Sequence, residues 1–362
     1  MTTTPNAGLR ALSALAALVA GMSRVLAVIL MGTGDPAANT TAPGGTLDGS
    51  GWQWIGGFDG FCGTPIGPSS FLTAAHIGGS VGDRIDFDGR TYRTVGFVTD
   101  PASDLRVWHV CGEFARHATP DTEDAAVGDG IVVFGRGTQR GEAVMAQRPG
   151  GLRLAGWKWG TPDAVQRWGT NVVASLLDNA ASGGRGLLFH AEFNQGKGND
   201  ECALSGGDSG GPAFVRRAAG WRLAGINFLV DGPFNTSADG DGFQAAIFDA
   251  AGLYVRNDLG QWVQIPGRTV GATAGFYCTR IAPRNAWLQG VLAEAPPPAR
   301  VEASDVWPPA FVEIAPLAHD PVARTFLCAE GGGSRVFRLR GAAGIRIAAV
   351  TRTGDGVRID YE

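Results

Sequence analysis

A serine lies within a run of glycines in the second half of the chain, where residues 207–212 read Gly-Asp-Ser-Gly-Gly-Pro. Glycines permit a sharp backbone turn, and such a turn can aim the N–H groups of Gly207 and Ser209 at one point. Hydrolysis of an acyl group through a serine needs donors of this kind, because negative charge develops on the carbonyl oxygen under attack. The run therefore predicts Ser209 as a nucleophile and the N–H groups of Gly207 and Ser209 as an oxyanion hole.

A serine hydroxyl becomes nucleophilic when an imidazole removes its proton. His76 follows Thr-Ala-Ala at the end of an apolar segment, residues 71–75. The small alanines let the imidazole leave the end of a strand and face a cleft. We therefore predict His76 as the general base. The other histidines have no comparable setting: His109, His117, His190 and His319.

An acid must orient that imidazole. Asp104 begins an alternating segment, Asp-Leu-Arg-Val-Trp over residues 104–108, and can present its carboxylate to His76. Asp86 and Asp100 also lie between the histidine and the serine run. Asp104 is the preferred third member because it alone adjoins a strand of this pattern.

The elements that must position these side chains are predicted to be short strands. The chain has 56 glycines and 20 prolines, and its apolar runs are short and separated by turn residues, as sheets joined by hairpins require. One helix is predicted, over residues 285–292. The predicted strands cover residues 25–31, 70–74, 94–98, 105–110, 130–134, 187–193, 213–216 and 221–228. The chain is therefore predicted to be an all-β protein.

The glycine run around Ser209 also fits the Gly-x-Ser-x-Gly elbow of α/β-hydrolases, in which the acid and the histidine follow the serine. Here only His319 follows Ser209. The order His76, Asp104, Ser209 is instead that of the chymotrypsin–trypsin family of serine peptidases, which this chain resembles.

Further matches to that family lie near the end of the region of resemblance. Residues 275–281, Gly-Phe-Tyr-Cys-Thr-Arg-Ile, resemble its last strand, and Ala-Trp-Leu at residues 286–288 resembles its closing helix. The resemblance covers roughly residues 25–293 and implies two six-stranded antiparallel β-barrels with a short C-terminal helix. It also implies an endopeptidase that forms an acyl-enzyme with protein or peptide substrates and needs no cofactor.

The resemblance implies where a substrate would bind. Counted from the nucleophile, the floor of the primary pocket falls near Ala203, with Gly275 on its wall. The strand that includes Asn227 and Phe228 would pair with the substrate backbone by β-augmentation. No acid occupies the position at which trypsin-like enzymes bind lysine or arginine, so we expect an apolar or small primary side chain.

The chain departs from the family in two places. Ile77 replaces the cysteine that would pair with the position of Cys62, so that disulfide is absent. Residues 229–274 form an insertion beside the pocket, which we expect to remodel substrate access. Its loop at residues 235–242 resembles a calcium loop but lacks the spaced acidic terminator of an EF-hand.

Activation in the family uses a freed N-terminal amine, which pairs with the acid before the serine. That acid is Asp208 here, and residues 25–28 could supply the amine after processing. We therefore expect Asp208→Asn to leave the chain folded but largely inactive.

The cysteines are far apart in the sequence, with no Cys-x-x-Cys pair and no histidine at a zinc-ligand spacing. A metal site is therefore not predicted. In an exported protein an odd number of cysteines allows at most two disulfides and leaves one thiol over. The five are Cys62, Cys111, Cys202, Cys278 and Cys328.

The N-terminal segment has the pattern of an export signal, because Arg10 precedes a run of small apolar residues at 11–21. We predict a signal peptide over residues 1–24 and a secreted, periplasmic or cell-surface protein, with no stable membrane span once the signal is removed. A membrane anchor over residues 11–31 is the alternative. It would bury Arg24 at a cost of about 2.5–3.5 kcal/mol.

The segment after the family-like region has a different composition. Residues 294–298 are rich in proline and predict an extended linker. Residues 299–362 alternate as strands around glycine-rich turns and predict a small β-sandwich-like accessory domain. The formal net charge of −4 gives no basic field for nucleic acid, and nothing in the sequence fixes the oligomeric state.

The sequence therefore predicts a secreted serine endopeptidase. One alternative is a catalytically silent trypsin-like module for binding or adhesion, against which the presence of all three triad residues argues. The other is an esterase that uses the same triad, and nothing in the sequence excludes it.

Overall fold

A computed structural model describes residues 28–179, 184–295, 299–331, 334–341 and 345–362. It contains two closed six-stranded antiparallel β-barrels, with 48% strand and 7% helix. The predicted all-β, two-barrel fold is therefore confirmed. The first described strand, Ile29–Leu30 (β1), lies within the predicted strand over residues 25–31, and the predicted signal peptide lies outside the described residues.

The first barrel is built from strands that place one face on a core. The segment Arg84–Phe87 alternates exposed and buried residues, as such a strand requires. The ring of Phe58 lies 5.0 Å from that of Phe71 and 5.5 Å from that of Trp108, and these buried aromatic residues fill the core. The strands are Gly56–Phe58 (β2), Phe61–Gly67 (β3), Ser70–Ala74 (β4), Arg84–Phe87 (β5), Arg90–Thr99 (β6) and Leu105–Val110 (β7), closed in the order β2-β3-β4-β7-β6-β5.

The second barrel contains a strand that is buried on both faces. Ile131 and Val133 face the core of this barrel, while Val132 and Phe134 face the first barrel, which explains the continuous apolar run of their strand. The strands are Gly130–Gly135 (β8), Arg167–Asp178 (β11), Leu187–Glu192 (β12), Pro212–Arg217 (β14), Gly220–Val230 (β15) and Gly275–Arg280 (β20), closed in the order β11-β12-β20-β15-β14-β8.

An apolar core joins the two barrels, and we call it the inter-barrel core. It combines buried residues of β4 and β7 with those of β8, β14 and β15. Leu288 and Val291 of the one α-helix among the described residues, Asn285–Ala293 (α1), complete it. The members from the strands include Leu72, Ala74, Leu105, Val107, Val132, Phe134, Phe214 and Leu223.

The predicted insertion packs against a long hairpin that the sequence did not indicate. The hairpin consists of Thr138–Arg148 (β9) and Gly151–Pro162 (β10), and it shares a core with Ala245–Ile247 (β17). We call the hairpin and residues 231–274 together the insertion subdomain. Its remaining strands, Phe234–Asn235 (β16), Tyr254–Arg256 (β18) and Trp262–Gln264 (β19), form a separate small sheet.

The C-terminal residues form two small sheets that pack on the outside of the first barrel. Val95 and Cys111 of the barrel region share a buried cluster with Phe326 and Tyr361, and the N–H group of Glu113 donates to the carbonyl of Pro321 at 3.1 Å. The strands are Arg300–Ser304 (β21), Val312–Glu313 (β22), Ala318–Asp320 (β23), Thr325–Cys328 (β24), Val336–Arg340 (β25), Ile347–Thr353 (β26) and Gly356–Tyr361 (β27). Prolines 296–298 of the predicted linker lie outside the described residues.

The expected disulfides are absent. All five cysteines are buried free thiols, and none is at bonding distance from another. Burial raises the pKa of Cys62 to about 12 and that of Cys111 to about 11. Spacing along the sequence could not reveal this, because a disulfide requires Cβ atoms close to 4 Å apart. Within the described residues, no helix is long and apolar enough to cross a membrane.

We expect all five thiols to react with a chromogenic disulfide reagent when the protein, prepared without reductant, is unfolded in guanidinium. In the native protein we expect almost none to react, because burial denies access and suppresses the thiolate. Counting the thiols released with and without denaturant measures this. A count of three or fewer in the unfolded, unreduced protein, rising to five after reduction, would contradict it.

Candidate active site

The pairing of two strands in the first barrel brings His76 and Asp104 together. β4 ends at Ala74, which pairs with Leu105 at the start of β7. A short turn of 3-10 helix, Ala75–Ile77, follows β4 and carries His76, while Asp104 directly precedes β7. The N–H group of Ala75 donates to the carbonyl of Asp104 at 2.7 Å, which fixes the two chain ends side by side.

The three predicted catalytic side chains form a continuous hydrogen-bonded chain. His76 Nδ1 lies 2.5 Å from Asp104 Oδ2, and the backbone N–H of His76 donates to Asp104 Oδ1 at 3.0 Å. His76 Nε2 lies 2.8 Å from Ser209 Oγ. A proton on Nδ1, donated to the carboxylate, leaves Nε2 as an acceptor for the serine hydroxyl. This arrangement can remove the hydroxyl proton during attack on a carbonyl.

Asp100, the alternative acid, is engaged elsewhere. Its fully buried carboxylate receives Arg284 Nε at 2.6 Å and Ser103 Oγ at 2.5 Å, and the N–H of Ala102 at 3.0 Å. These bonds fix the turn that ends at Asp104 to the segment before α1. Asp86, the other acid that the sequence offered, accepts a hydrogen bond from the hydroxyl of Thr91.

Residues 204–211, which we call the serine loop, carry Ser209. This loop approaches the first barrel so closely that glycine is required. Gly210 has φ of 76°, and a Cβ there would lie 2.3 Å from Thr73 Oγ1. On the side of the second barrel, a Cβ on Gly211 would lie 2.2 Å from the carbonyl oxygen of Phe134 on β8. The glycines of the run therefore allow the serine of one barrel to reach the histidine of the other.

The predicted oxyanion hole has free donors. Among the described residues, no group accepts a hydrogen bond from the N–H of Gly207 or of Ser209. Gly207 has φ of 94°, a conformation that favours glycine. Neither N–H group is therefore engaged by another described residue, which is a condition that the predicted oxyanion hole must meet.

Asp208 is held by internal donors. Its carboxylate receives the N–H of Gly137 and the N–H of Ser205, each at 2.7 Å, and Ser205 Oγ at 3.1 Å. A Cβ on Gly135 would lie 1.9 Å from Asp208 Oδ1, so the end of β8 also leaves room for it. Residues 25–27, most of the predicted source of an activating amine, lie outside the described part of the chain. The contacts here anchor the serine loop to the turn after β8.

The residues predicted to bind substrate occupy different places. The ring of Phe228 lies edge-on to that of His76 at 5.7 Å, so it borders the triad. Asn227 is fully buried, and its Nδ2 donates to the carbonyl oxygens of Phe134 and Asp208 at 2.9 Å each, which supports the serine loop. Ala203 is also buried, because it pairs with Ile29 of β1 across the strand Cys202–Ala203 (β13).

Gly275 adjoins a polar cluster that sequence reasoning missed. Its N–H donates to Asp231 Oδ2 at 2.8 Å, and Tyr277 Oη donates to Asp231 Oδ1 at 2.8 Å. The ring of His190 stacks on that of Tyr277, with its Nε2 3.6 Å from Asp231 Oδ2. Burial and the adjacent Asp231 carboxylate raise the pKa of Tyr277. The position of Asp231, three residues after Phe228, was the signal that could have indicated an acid near the pocket.

One edge of β15 is open beside the triad. On one side β15 pairs with β14 only as far as Ile226, opposite Pro212, and on the other it pairs with β20 as far as Val230. Asn227 is bonded to the serine loop through Gly210 and Gly211. The predicted pairing strand is thus already occupied up to Asn227. Residues 228–230 lack a partner on the β14 side, so only the backbone groups that point to that side are open.

Comparisons with known proteins identified no relative: no family model matches this chain, and no curated protein matches it. The two closed barrels are consistent with a trypsin-like fold. The described residues contain no group of three or more histidine, cysteine or acidic side chains arranged to hold a metal ion.

We expect Arg284→Ala to destabilise the protein by about 3 kcal/mol, because it leaves the buried carboxylate of Asp100 without its cation. We also expect kcat to fall about tenfold with KM little changed, since the turn that positions Asp104 loosens. Urea unfolding and steady-state kinetics measure the two effects. Arg300→Ala, which removes an exposed ion pair with Glu313, should cost at most about 1 kcal/mol. Equal losses in the two variants would contradict the role of Arg284.

We expect Asp208→Asn to remove a pH dependence of stability. Burial raises the pKa of Asp208 from 3.8 to about 7, against the opposing effect of its hydrogen bonds. A raised pKa means that this group stabilises the fold below about pH 4 and that the contribution is lost as the pH rises through about 7.

Urea unfolding at several pH values should therefore show the stability of the parent falling, relative to Asp208→Asn, by up to ~4 kcal/mol between about pH 4 and 7. Above that range the difference should be constant. Turnover by the variant should be low, because an amide cannot accept all of the hydrogen bonds that hold the loop. The exposed Asp241→Asn is the control, and parallel pH curves for parent and Asp208→Asn would refute the assignment.

Proposed function

We propose that this chain is a trypsin-like serine endopeptidase that cleaves peptide bonds through an acyl-enzyme. The observation that carries the proposal is the contact of His76 Nε2 with Ser209 Oγ at 2.8 Å, while the same imidazole is bonded to Asp104. His76 and Asp104 follow and precede strands of the first barrel, and Ser209 precedes a strand of the second. A fold compatible with this chemistry and a triad in contact support the same conclusion.

In the first step, Ser209 Oγ attacks the carbonyl carbon of the substrate, and its proton passes to His76 Nε2. The carbon–oxygen double bond opens into a tetrahedral intermediate whose oxygen carries the negative charge. The N–H groups of Gly207 and Ser209 stabilise that charge. The Asp104 carboxylate, only 13% exposed, stabilises the imidazolium that forms.

In the second step, the imidazolium of His76 donates its proton to the leaving amine, the carbon–nitrogen bond breaks, and the acyl group remains on Ser209 Oγ. Water then enters in place of the amine. His76 removes a proton from that water as it attacks the ester, and returns the proton to Ser209 Oγ when the acid product leaves.

The open edge of β15 favours a peptide over a small ester as the substrate. Residues 228–230 have no partner on the β14 side, and Phe228 lies next to the imidazole. An extended peptide can bond to the backbone groups on that side as an added strand. An ester without a peptide backbone would gain nothing from this edge.

The predicted primary pocket also has an acid close to it. Asp231 is partly exposed and accepts a hydrogen bond from Gly275, whereas the sequence predicts that the substrate's primary side chain is apolar or small.

We further propose that the protein acts after export, in a secreted, periplasmic or cell-surface location. The support is the sequence of residues 1–24, which has the features of a signal peptide.

We expect a fluorophosphonate probe to label the purified protein at Ser209, because the probe reacts with serine hydroxyls that a neighbouring base activates. Ser209→Ala should abolish labelling, and Ser237→Ala, at an exposed loop serine, should leave it unchanged. Gel fluorescence and peptide mapping measure both. Absence of labelling in correctly folded, processed protein would reject the enzyme and favour the silent binding module.

A second measurement separates peptidase from esterase. Peptides that extend several residues on both sides of the cleaved bond should have a higher kcat/KM than matched single-residue esters, once each kcat/KM is divided by the rate of uncatalysed hydrolysis. The reason is that only the longer substrates can pair with β15. Hydrolysis of esters with no cleavage of any peptide in a diverse library would identify an esterase.

A further inference from the structure

The insertion subdomain contains an open cleft that the triad does not use. The cleft has a volume of about 480 Å³ and lies between the turn that joins β9 to β10 and residues 267–272. Apolar side chains of Phe248 and Val270 contribute to its lining, and Val270 is 95% exposed. Phe248 is only 7% exposed and packs with Trp157 and Phe193, so Val270 is the apolar side chain that the cleft offers to a ligand.

One arginine builds the cleft. Arg148, at the end of β9, forms an ion pair with Asp249, and its Nη1 donates to the carbonyl of Gly267 at 2.9 Å. The Arg148 side chain is only 12% exposed. These bonds connect the hairpin to the predicted insertion, and they leave Arg148 and Asp249 with no net charge to offer a ligand.

Two other arginines line the same cleft with their charges unmatched. Arg153 and Arg268 are exposed, and neither guanidinium group forms a hydrogen bond or an ion pair with any described residue. Asp249 is the one carboxylate among the lining residues, and it is already paired with Arg148. The cleft therefore presents two free guanidinium groups and the exposed side chain of Val270. Guanidinium groups match carboxylates in geometry and in charge.

We propose that this cleft binds an acidic peptide segment, with carboxylates paired to Arg153 and Arg268 and an apolar side chain against Val270. A peptide is the occupant because a chain with spaced carboxylates can match two separate exposed cations and an exposed apolar side chain at the same time. A nucleic acid would require a continuous basic surface, and the chain as a whole carries a net charge of −4.

The position of the cleft makes the occupant a part of the substrate, and this step rests on the proposed function. Arg153 and Trp159 lie on β10, six residues or about 20 Å apart. The ring of Trp159 lies against Gly206, where a Cβ would be 2.9 Å from Trp159 Cζ3, and Gly206 is in the serine loop. The cleft would thus select substrates with an acidic segment at least six or seven residues from the cleaved bond.

The test measures binding without turnover, in the Ser209→Ala protein, by fluorescence anisotropy of a labelled eight-residue peptide of alternating glutamate and leucine. We expect Arg153→Gln and Arg268→Gln each to weaken binding about two- to fivefold, the range for loss of one exposed charge pair. Raising the salt concentration should weaken binding as well. Arg84→Gln, at an exposed arginine on β5, is the matched control and should change nothing.

Two results would overturn the proposal. One is equal affinity of the parent and both arginine variants, or equal affinity for a peptide in which glutamine replaces glutamate. The other is a thymidine oligonucleotide that binds more tightly than the acidic peptide and depends on the same two arginines.

The outcome is independent of catalysis, because the Ser209→Ala protein has no nucleophile. A failed probe reaction with intact peptide binding would reject the peptidase and keep the acidic-peptide site. The substrate role has its own measurement. An acidic segment added to a cleaved peptide should lower KM in the active parent and not in the Arg153→Gln, Arg268→Gln double variant, and unchanged KM in the parent would reject that role.

Discussion

The candidate site depends on the close contact between the two barrels, because His76 and Asp104 belong to one barrel and Ser209 to the other. Gly210 lies against Thr73 so closely that any side chain would displace the loop. Behind this contact, the inter-barrel core buries apolar residues from both sheets and from α1. A triad divided in this way stays aligned only while that core remains packed, so the geometry of the candidate site depends on residues that lie outside it.

Much of the fold could be predicted from local patterns. The strands over residues 70–74 and 105–110 were predicted with their observed bounds, since apolar and β-branched residues there end at clear turn residues. The β9–β10 hairpin was missed because its buried side chains are covered by residues 231–274, which are distant in the sequence. Disulfides were expected from composition and are absent, because bonding depends on distances that spacing does not encode.

The site shows the same division between local and long-range information. The glycine run and the small residues before His76 indicated where a nucleophile and a base could lie, and the strand pairing brings them together. Counting residues back from Ser209 leads to Ala203, which pairs with Ile29 of β1, and its role as the pocket floor stays a prediction. The same count could not indicate Asp231, which accepts a hydrogen bond from the N–H of Gly275 after the end of β15. Pocket walls are assembled from several loops, so an offset from one residue does not locate all of them.

The docking of the C-terminal sheets bears on how the protein is made. Their cluster covers Val95 and Cys111 on the outside of the first barrel, and Arg324 lies over the ring of Tyr92 at 4.9 Å. Residues 299–362 are synthesised after both barrels, so these apolar side chains of the first barrel stay exposed to solvent until the C-terminal sheets fold onto them. A chain that lacks these sheets would expose the same apolar surface to chaperones and proteases.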